Sequence, residues 1–383
     1  MQAILNSNQN LDKKMSIYIH IPFCVSKCTY CDFCSFVTNP QNILTYLDAL
    51  HTEIDTRATQ FKDKIITSIY IGGGTPSILP SGELSKIINH IKTSFNTNNC
   101  DSITVEANPN SFDKTLALQL VSAGVNRISF GLQSHNDRLL KLLNRPHSYL
   151  DFERAVNIAK QSGITDISAD ILLGIPTQTM TDLEQTINSI VNLPLTHISA
   201  YGLILEPNTP LTLAVHRGEF DEVDEDTAND MYNYTVSALA NFGFNRYEIS
   251  NFAKAGFESK HNLNYWTRGQ YLGLGLASHS FVNGYHWQNT TNFTTYLSNP
   301  NSSIIDIEKE NIATAKLETI MLALRTMSGL NIVEYNKKFN TDCMQEYNAT
   351  IKELLDAELI TIENNILCIT DYNLSNSIIA MFA

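Results

Sequence analysis

Three cysteines near the N-terminus are the residues of this chain best suited to chemistry. Cys24, Cys28 and Cys31 are spaced C-x3-C-x2-C, and they follow a short alternating segment, 17–21, that Pro22 ends. The alternation predicts a β-strand, so we expect the thiols on the loop that leaves the C-terminal end of that strand. Parallel α/β folds place their chemistry at this end of their strands.

Thiolates at this spacing can bind three irons of a [4Fe–4S] cluster and leave the fourth iron open to a small molecule. Zinc is the alternative, since Cys34 offers a fourth sulfur. Structural zinc sites, however, usually use two pairs of ligands separated by a longer loop. A redox-active thiol pair is a further alternative, supported only by the C-x-x-C spacing of Cys28 and Cys31. Four sulfurs within eleven residues favour the cluster.

Composition restricts the class of protein. The chain has 383 residues, 43 % of them hydrophobic, which is enough for one large α/β barrel and a smaller domain. A formal net charge of −13 argues against a nucleic-acid partner. No apolar run approaches membrane-spanning length and no signal-peptide pattern is present, so we expect a cytoplasmic protein with at most peripheral membrane contact. Seven cysteines, four of them in one loop, indicate a reducing compartment.

Strand-like and helix-like segments alternate from residue 15 to about residue 207. The predicted strands are 16–21, 65–71, 102–107, 127–131, 166–172 and 197–205. The amphipathic helices between them are 43–61, 82–95, 114–122, 149–161 and 182–193. Alternation of this kind predicts a parallel sheet with right-handed crossovers, and six units predict an open, partial (β/α)6 barrel.

We predict four segments along the chain. Residues 1–14 are polar and rich in asparagine, which indicates a disordered extension or a start-codon artefact with Met15 as the true start. Residues 15–245 are predicted to form the barrel, and 246–300 an extension that contains His261-Asn-Leu-Asn-Tyr265-Trp266. Helices and an alternating hairpin in 301–383 predict a smaller C-terminal α+β domain, winged-helix-like but without a basic recognition helix.

Polar residues and glycines follow the predicted strands. Gly72-Gly73-Gly74-Thr75 comes after the second strand, Glu106 ends the third, Gln133 follows the fourth with Arg145 beyond it, and Asp170 lies in the fifth. Each alone is compatible with a turn, a cap or a solvated group. Because parallel strands end on one side of the sheet, together they are expected to face one mouth. A zwitterionic nucleoside would need such groups, with arginine for its carboxylate and acidic residues for its amine or ribose hydroxyls.

The cysteine spacing resembles the radical S-adenosylmethionine (SAM) superfamily. The sequence Tyr18-Ile-His-Ile-Pro-Phe-Cys24 resembles, within it, the oxygen-independent coproporphyrinogen III oxidase-like family, which includes the HemW-type haem chaperones. The resemblance implies that Cys24, Cys28 and Cys31 bind a [4Fe–4S] cluster whose open iron binds SAM. Residue by residue, it implies SAM contacts at Tyr18, Tyr30, Gly73, Gly74, Thr75, Glu106, Gln133, Arg145 and Asp170.

Two functions of different kinds follow from the resemblance. One is a haem chaperone that holds haem, cluster and SAM and delivers haem to apo-haemoproteins. The other is an oxidase that decarboxylates coproporphyrinogen III by radical chemistry. The oxidases carry a fourth cysteine where this chain has Phe33, and Cys31-Asp-Phe-Cys-Ser35 resembles the chaperone sequence with Cys34 as a departure. The segment from His261 to Trp266 also resembles the chaperones, so we favour that function.

Haem iron needs an axial donor such as histidine, cysteine or tyrosine. The resemblance makes His261 the first candidate and Tyr265 the second, with His20 and His279 as further residues near the mouth. Haem and apo-haemoprotein acceptors are therefore the expected partners, and a homodimer remains open.

Overall fold

The computed structural model describes residue 4 and residues 13–37 and 40–383. Most of the predicted extension 1–14 lies outside these residues, so its predicted disorder stays a prediction. The described strands are β1 (Lys14–Ile21), β2 (Phe23–Cys24), β3 (Phe36–Val37), β4 (Ile65–Gly73), β5 (Ser102–Ala107), β6 (Arg127–Gln133), β7 (Asp166–Leu173), β8 (His197–Gly202), β9 (Asn245–Glu248), β10 (Asn251–Ala253), β11 (Tyr271–Leu274), β12 (His279–Val282), β13 (Tyr285–Asn289), β14 (Ile304–Lys309), β15 (Leu330–Asn331), β16 (Ile360–Glu363) and β17 (Ile366–Ile369).

The described helices lie mainly between the strands. They are α1 (Pro40–Gln60), α2 (Glu83–Ser94), α3 (Lys114–Ala123), α4 (Asp137–Leu142), α5 (Tyr149–Gln161), α6 (Met180–Ile190), α7 (Pro210–His216), α8 (Glu225–Asn241), α9 (Lys260–Trp266), α10 (Phe293–Ser298), α11 (Ile312–Ala323), α12 (Ile332–Phe339), α13 (Cys343–Glu346), α14 (Asn348–Asp356) and α15 (Ser375–Ala380).

Six parallel strands form the centre of the molecule in the order β1-β4-β5-β6-β7-β8. Strand β1 also pairs with β11 and β8 pairs with β10, so the six strands do not close on themselves. The predicted open α/β barrel is therefore confirmed, as are all six predicted strands and the five helices between them. The sixth strand is shorter than predicted: it ends at Gly202, and the exposed Ile204 lies in the loop beyond it.

The two faces of the barrel strands differ in chemistry. Outward side chains are apolar and buried against the helices, as in Ile17, Ile19 and Ile21 of β1 and Ile128 and Phe130 of β6. Inward side chains are polar, and the strand register sets them beside one another. The registered inward pairs are Ser16 with Ser68, Tyr18 with Tyr70, Glu106 with Ser129, Gly131 with Asp170, and Asp170 with Ser199. Barrel interiors are usually filled with branched apolar residues, so this polar lining indicates a hydrated, ligand-binding interior.

Local sequence explains where the outer helices begin. Ser148 and Thr179 accept backbone hydrogen bonds at the starts of α5 and α6, and both helices have complete capping boxes with Asp151 and Asp182. The short helices α4 and α7 were not predicted, because each has fewer than two full turns and no apolar periodicity can be read over that length.

A second, smaller core lies near the C-terminus. It joins α11–α15 with the three-stranded sheet β15-β17-β16, and its buried residues include Ile320, Leu354, Leu367 and Ile378. This arrangement of helices around a hairpin fits the predicted α+β domain. The domain boundaries themselves stay predictions; strand β14, within 301–383, pairs with β13 of the main sheet.

Candidate functional site

A cavity of about 520 Å³ opens at the C-terminal ends of the barrel strands. We call it the barrel cavity. Its lining brings together the three cysteines and eight of the nine predicted SAM contacts: Cys24, Cys28, Cys31, Tyr30, Gly73, Gly74, Thr75, Glu106, Gln133, Arg145 and Asp170. Residues that are far apart in sequence thus converge on one mouth, as expected from the parallel topology.

The three cysteine thiols are free and half-buried at this mouth. Thr75 Oγ1 donates to Cys24 Sγ at 3.6 Å, and Arg145 Nη1 donates to Cys28 Sγ at 3.3 Å. Among the described residues, the three sulfurs do not all lie within 4.8 Å of one another. A single zinc ion with bonds of about 2.3 Å would need sulfurs closer than that.

The cysteine loop is fixed to the barrel by backbone contacts. Strands β2 and β3 pair across its base, and Thr29 N donates to Leu143 O at 3.1 Å. Asn144 Nδ2 donates to Lys27 O at 2.9 Å, and Leu211 N donates to Thr29 O at 2.9 Å. The loop that carries the thiols is thus held in place by the segment between α4 and Arg145 and by the start of α7.

Two positions at the end of β4 require glycine because neighbouring side chains lie too close to admit a Cβ atom. A Cβ atom on Gly72 would lie 2.8 Å from the Glu106 carboxylate, and one on Gly73 would lie 2.5 Å from the His20 ring. Gly73 also has φ +107°, a conformation that favours glycine. Beyond it, Thr75 N donates to Phe23 O at 2.7 Å, which joins the glycine segment to the cysteine loop.

Glu106 is one of two carboxyls of the cavity whose pKa is raised by burial. Burial raises its pKa to about 7, although hydrogen bonds from Tyr70 and Gly73 oppose the shift. Tyr70 donates to Oε1 at 2.7 Å and the Gly73 N–H donates to Oε2 at 3.1 Å. A carboxyl held at the border of ionisation in an enclosed site is typical of a functional position.

Asp170 is the second carboxyl of the barrel cavity. Burial raises its pKa, while hydrogen bonds from Ser199 and Ser129 partly offset that effect. The Ser129 hydroxyl is 3.0 Å from Oδ1 and 3.3 Å from Oδ2. These serines fix the carboxylate and leave it facing the cavity.

Arg145 supplies a positive charge and is half-buried in the cavity wall. Burial lowers its pKa, but the neighbouring Tyr30 and Cys28 outweigh burial and leave the pKa raised, so the guanidinium stays charged. Its Nη2 donates to Gly131 O at 2.7 Å, while its buried Nε has no hydrogen-bond partner. An orphaned buried donor at the edge of a cavity is a place where an acidic ligand group would be stabilised.

Two further predicted contacts have distinctive surroundings. Gln133 has φ +72°, a strained conformation that ends β6 at a register shift against β7 and turns its side chain to the cavity. Tyr30 is enclosed beside the cysteines, and burial raises its pKa. Its ring is thus a neutral, apolar wall.

A second cavity, of about 430 Å³, lies on the other side of the cysteine loop. We call it the side cavity. Its lining includes Tyr18, His20, Cys34, Tyr265 and His279, and it shares Asp32 and Phe33 with the barrel cavity. Tyr18 is therefore the predicted SAM contact that the structure does not bring to the barrel cavity. Its ring stacks against that of Tyr70, a barrel-cavity residue, with centroids 6.2 Å apart.

His261 does not line either cavity. The side chain is 1 % exposed, and both ring nitrogens have partners: Nδ1 lies 2.8 Å from Ser68 Oγ and Nε2 lies 2.9 Å from Tyr265 Oη. Burial lowers its pKa to about 3, so the ring is neutral. His261 positions Tyr265, whose ring is in the wall of the side cavity.

Sequence reasoning missed several polar residues of the barrel cavity. Tyr70, Ser129, Ser199 and Tyr201 lie on the inner faces of barrel strands, and Asn262 follows His261 on α9. The strand residues carry a signal that was available, since polar residues recur at every second position of β4, β6 and β8.

Comparison with known proteins identifies the family. Residues 18–190 match the model of the Radical SAM superfamily, and residues 314–372 match that of the HemN C-terminal domain. The protein named Heme chaperone HemW of Lactococcus lactis is 33 % identical over 375 residues, which cover 97 % of this chain and 98 % of that relative. The chain belongs to the HemW family of radical SAM proteins. The identically named protein of Bacillus subtilis is 33 % identical over 90 % of this chain and 92 % of its own length.

A solved structure agrees with the HemW family assignment at the level of the fold. The structure of the coproporphyrinogen III oxidase HemN from Escherichia coli, described as a radical SAM enzyme, matches with a TM-score of 0.87 at 21 % identity. It covers 100 % of this chain and 93 % of that one. Across the described residues, every helix is too short or too polar to cross a bilayer.

Proposed function

We propose that this protein is a haem chaperone that binds haem and transfers it to apo-haemoproteins. Its barrel cavity would hold a [4Fe–4S] cluster and SAM. The observation that carries the proposal is the similarity to relatives named heme chaperones over almost the whole of both chains. Phe33, where the oxidases of the wider family carry a further cysteine, supports the same function.

The residues present fit a cluster and SAM. Cys24, Cys28 and Cys31 are the donor set, and no described cysteine other than these lines the barrel cavity. A bound cluster of this kind supplies an open iron site and one-electron chemistry. The orphaned Nε of Arg145 and the close-packed glycine segment offer a place for a ligand next to the thiols.

The protein side chains would orient SAM by charge. Arg145 would bind a carboxylate through charge-assisted hydrogen bonds. Glu106, when ionised, would accept from an ammonium, and Asp170 would accept from ribose hydroxyls. Tyr30, which stays neutral, would cover the adenine and exclude water. These roles use only groups that already face the barrel cavity.

The test is anaerobic reconstitution of the full chain with separate assays for its two candidate functions. We expect about four irons and four sulfides per chain, an EPR signal of the reduced cluster that changes with SAM, and stoichiometric haem binding. We further expect transfer of that haem to an apo-haemoprotein such as apo-myoglobin. Cys28→Ser should abolish cluster assembly, with Cys368→Ser as the matched control.

Three results would each overturn a part of the proposal. Failure of the reconstituted protein to bind or release haem would remove the chaperone function. Conversion of coproporphyrinogen III to a divinyl product, without haem transfer, would make the protein an oxidase. A full zinc complement in place of iron would overturn the cluster.

Compartment and assembly belong to the same proposal. A cytoplasmic location fits the free cysteines and the proposed cluster chemistry. Fractionation would test the location, and sedimentation of the haem-loaded protein would decide between a monomer and a homodimer.

A further inference from the structure

The side cavity contains several groups that could ligate iron, and three of them are already engaged in hydrogen bonds: Tyr18, His20 and Tyr265. His20 has Nδ1 3.1 Å from Tyr18 Oη and Nε2 2.8 Å from Cys34 O. The Tyr265 hydroxyl is bonded to His261. Each of these groups would have to break a hydrogen bond before it could bind a metal.

Two donors in the side cavity are not engaged in this way. Within the described chain, neither the thiol of Cys34 nor the imidazole of His279 has a hydrogen-bond partner, and the ring of His279 is exposed. The Tyr271 hydroxyl is a third donor of the cavity, but burial raises its pKa to about 12, which disfavours the phenolate that iron would need. Thiolate and imidazole are both established axial donors for haem iron.

The walls of the side cavity suit a flat aromatic macrocycle. The rings of Tyr18, Tyr265 and Tyr271 line it, and Tyr265 and Tyr271 pack edge to face with centroids 4.7 Å apart. The apolar side chain of Phe33 lies at the border of the side cavity and is 66 % exposed. Packing within the free protein does not explain why an aromatic residue occupies this position. A cavity of about 430 Å³ is within the usual range for cofactor sites. Because the side cavity opens to solvent, one edge of a bound macrocycle would remain accessible to an acceptor protein.

The side cavity is physically joined to the cluster loop. Cys34 is three residues beyond Cys31, and Asp32 and Phe33 line both cavities. His20 bonds the carbonyl of Cys34 and packs against Gly73 of the barrel cavity. Binding of a ligand at either cavity therefore acts on the same short segment.

We propose that haem binds in the side cavity with His279 and Cys34 as the axial ligands of its iron. On binding ferric iron, the Cys34 thiol releases its proton to solvent and the neutral His279 ring donates a nitrogen lone pair. His261 acts as a positioning residue for Tyr265. This inference rests on the proposed function and names the site through which that function would operate.

The experiment uses the reconstituted full chain with its cluster oxidised, a state with no EPR signal, so that ferric haem is seen alone. Haem is titrated into the wild type, Cys34→Ser, His279→Ala and the double variant. Cys368→Ser and the exposed His216→Ala are the matched controls. Optical difference spectra and EPR report the axial ligands, and SAM binding reports that the barrel cavity is intact.

We expect a low-spin thiolate–imidazole signal in the wild type and both controls. Cys34→Ser should lose the thiolate signature, His279→Ala should become high-spin, and the double variant should bind haem at least about tenfold more weakly. If haem binds and all variants keep the wild-type signal and affinity, the side-cavity site is wrong while the chaperone function stands. If only one variant changes the signal, the paired ligation is wrong. If the wild type binds no haem, the proposed function itself fails.

Discussion

At the scale of single residues, the barrel cavity depends on charged groups that are partly withdrawn from bulk solvent. Glu106 is the clearest case, since burial brings its pKa to about 7, into the physiological range. The nearby Asp170 is a second carboxyl whose pKa is raised by burial, and the half-buried Arg145 remains a cation. A zwitterionic ligand would satisfy both kinds of charge at once, which a simple anion or cation would not.

The affinity for SAM should therefore depend on pH through Glu106. Below a pKa of about 7 the carboxyl is protonated and cannot pair with an ammonium, so affinity should rise with pH and level off above neutrality. We expect binding roughly tenfold weaker at pH 6 than at pH 8, measured by anaerobic calorimetry on cluster-loaded protein. Glu106→Gln should bind weakly with no such dependence, and the exposed Glu222→Gln should behave as the wild type. A flat wild-type profile would contradict the assigned role.

Several residues of the barrel cavity were predictable from the sequence because each lies in a barrel strand or just after one. Cys24, Glu106 and Asp170 needed only the alternation of strands and helices and the rule that parallel strands end together. Strand alternation shows that Tyr18 faces inward but not on which side of a neighbouring ring it lies, so the ring's place in the side cavity could not be foreseen and its contact with SAM stays a prediction.

At the scale of elements, helix α9, which contains the segment from His261 to Trp266, is hydrogen-bonded to the inner face of barrel strands β4 and β1. A polar chain runs from Tyr265 through His261 to Ser68 on β4 and on to Ser16 on β1. Ser259 caps the helix by accepting from the backbone of Asn262. His261 thus fixes this short helix to the barrel. Because His261 also holds Tyr265, it fixes the position of a ring that lines the side cavity.

Removal of the anchor should weaken the fold more than it changes the haem signal. His261→Ala should lower the free energy of unfolding by roughly 2 to 4 kcal/mol, because it leaves a cavity and two unpaired polar groups. Tyr265→Phe, which deletes only the hydroxyl, should cost about 1 to 2 kcal/mol. Urea denaturation would measure both.

The haem spectra of the same two variants distinguish a positioning role of His261 from direct ligation of iron. Haem affinity should fall in His261→Ala because the cavity wall loosens, but the ferric EPR type should stay that of the wild type. A change of spin state in His261→Ala would show that this histidine ligates iron after all, in agreement with the expectation from sequence.

Element prediction succeeded where periodicity was long. Helices such as 149–161 were predicted to the residue, whereas α4 and α7 were missed because a single turn or two carries no readable period. The role of the 261–266 segment could not be deduced either. A motif histidine has the same sequence signature whether it binds a ligand or a neighbouring tyrosine.

At the scale of the whole molecule, several contacts join the barrel and the C-terminal core, and Arg246 makes a cluster of them. Arg246 lies over the ring of Tyr372 at 4.3 Å and donates to Tyr232 Oη at 2.9 Å. Met327 N donates to Tyr247 O at 3.0 Å alongside it. Arg246 therefore touches β9, helix α8 and the C-terminal core together.

Arg246→Ala should separate the unfolding of the two cores. We expect the variant to lose roughly 1 to 3 kcal/mol of coupling, because the cation–π contacts with Tyr372 and Tyr232 and the hydrogen bonds to Tyr232 and Met327 disappear. Scanning calorimetry should then show the C-terminal core melting before the barrel. The exposed Arg217→Ala is the matched control and should melt as the wild type does. A single unchanged transition in Arg246→Ala would show that the cores are joined by other contacts.

The two-core organisation was visible in the sequence only as a change of composition near residue 301. The contacts that join the cores could not be predicted, because Arg246, Tyr232 and Tyr372 are distant in sequence and carry no motif. The side cavity was missed for the same reason: β11–β13 approach the cysteine loop only once the sheet extends beyond β1.

The opposite chemistry of the two barrel faces has an evolutionary consequence. Isoleucines on the outer face pack against the helices and supply much of the free energy of folding, whereas most of the inward serines, tyrosines and acids face the barrel cavity. The exceptions are Ser16 and Ser68, which belong to the hydrogen-bonded chain that anchors helix α9. Substitutions at the cavity-facing positions should therefore change binding more than folding, and descendants of one scaffold can acquire new specificities there. A library randomised at those positions, with Ser16 and Ser68 kept, should yield folded proteins from which altered binders can be selected.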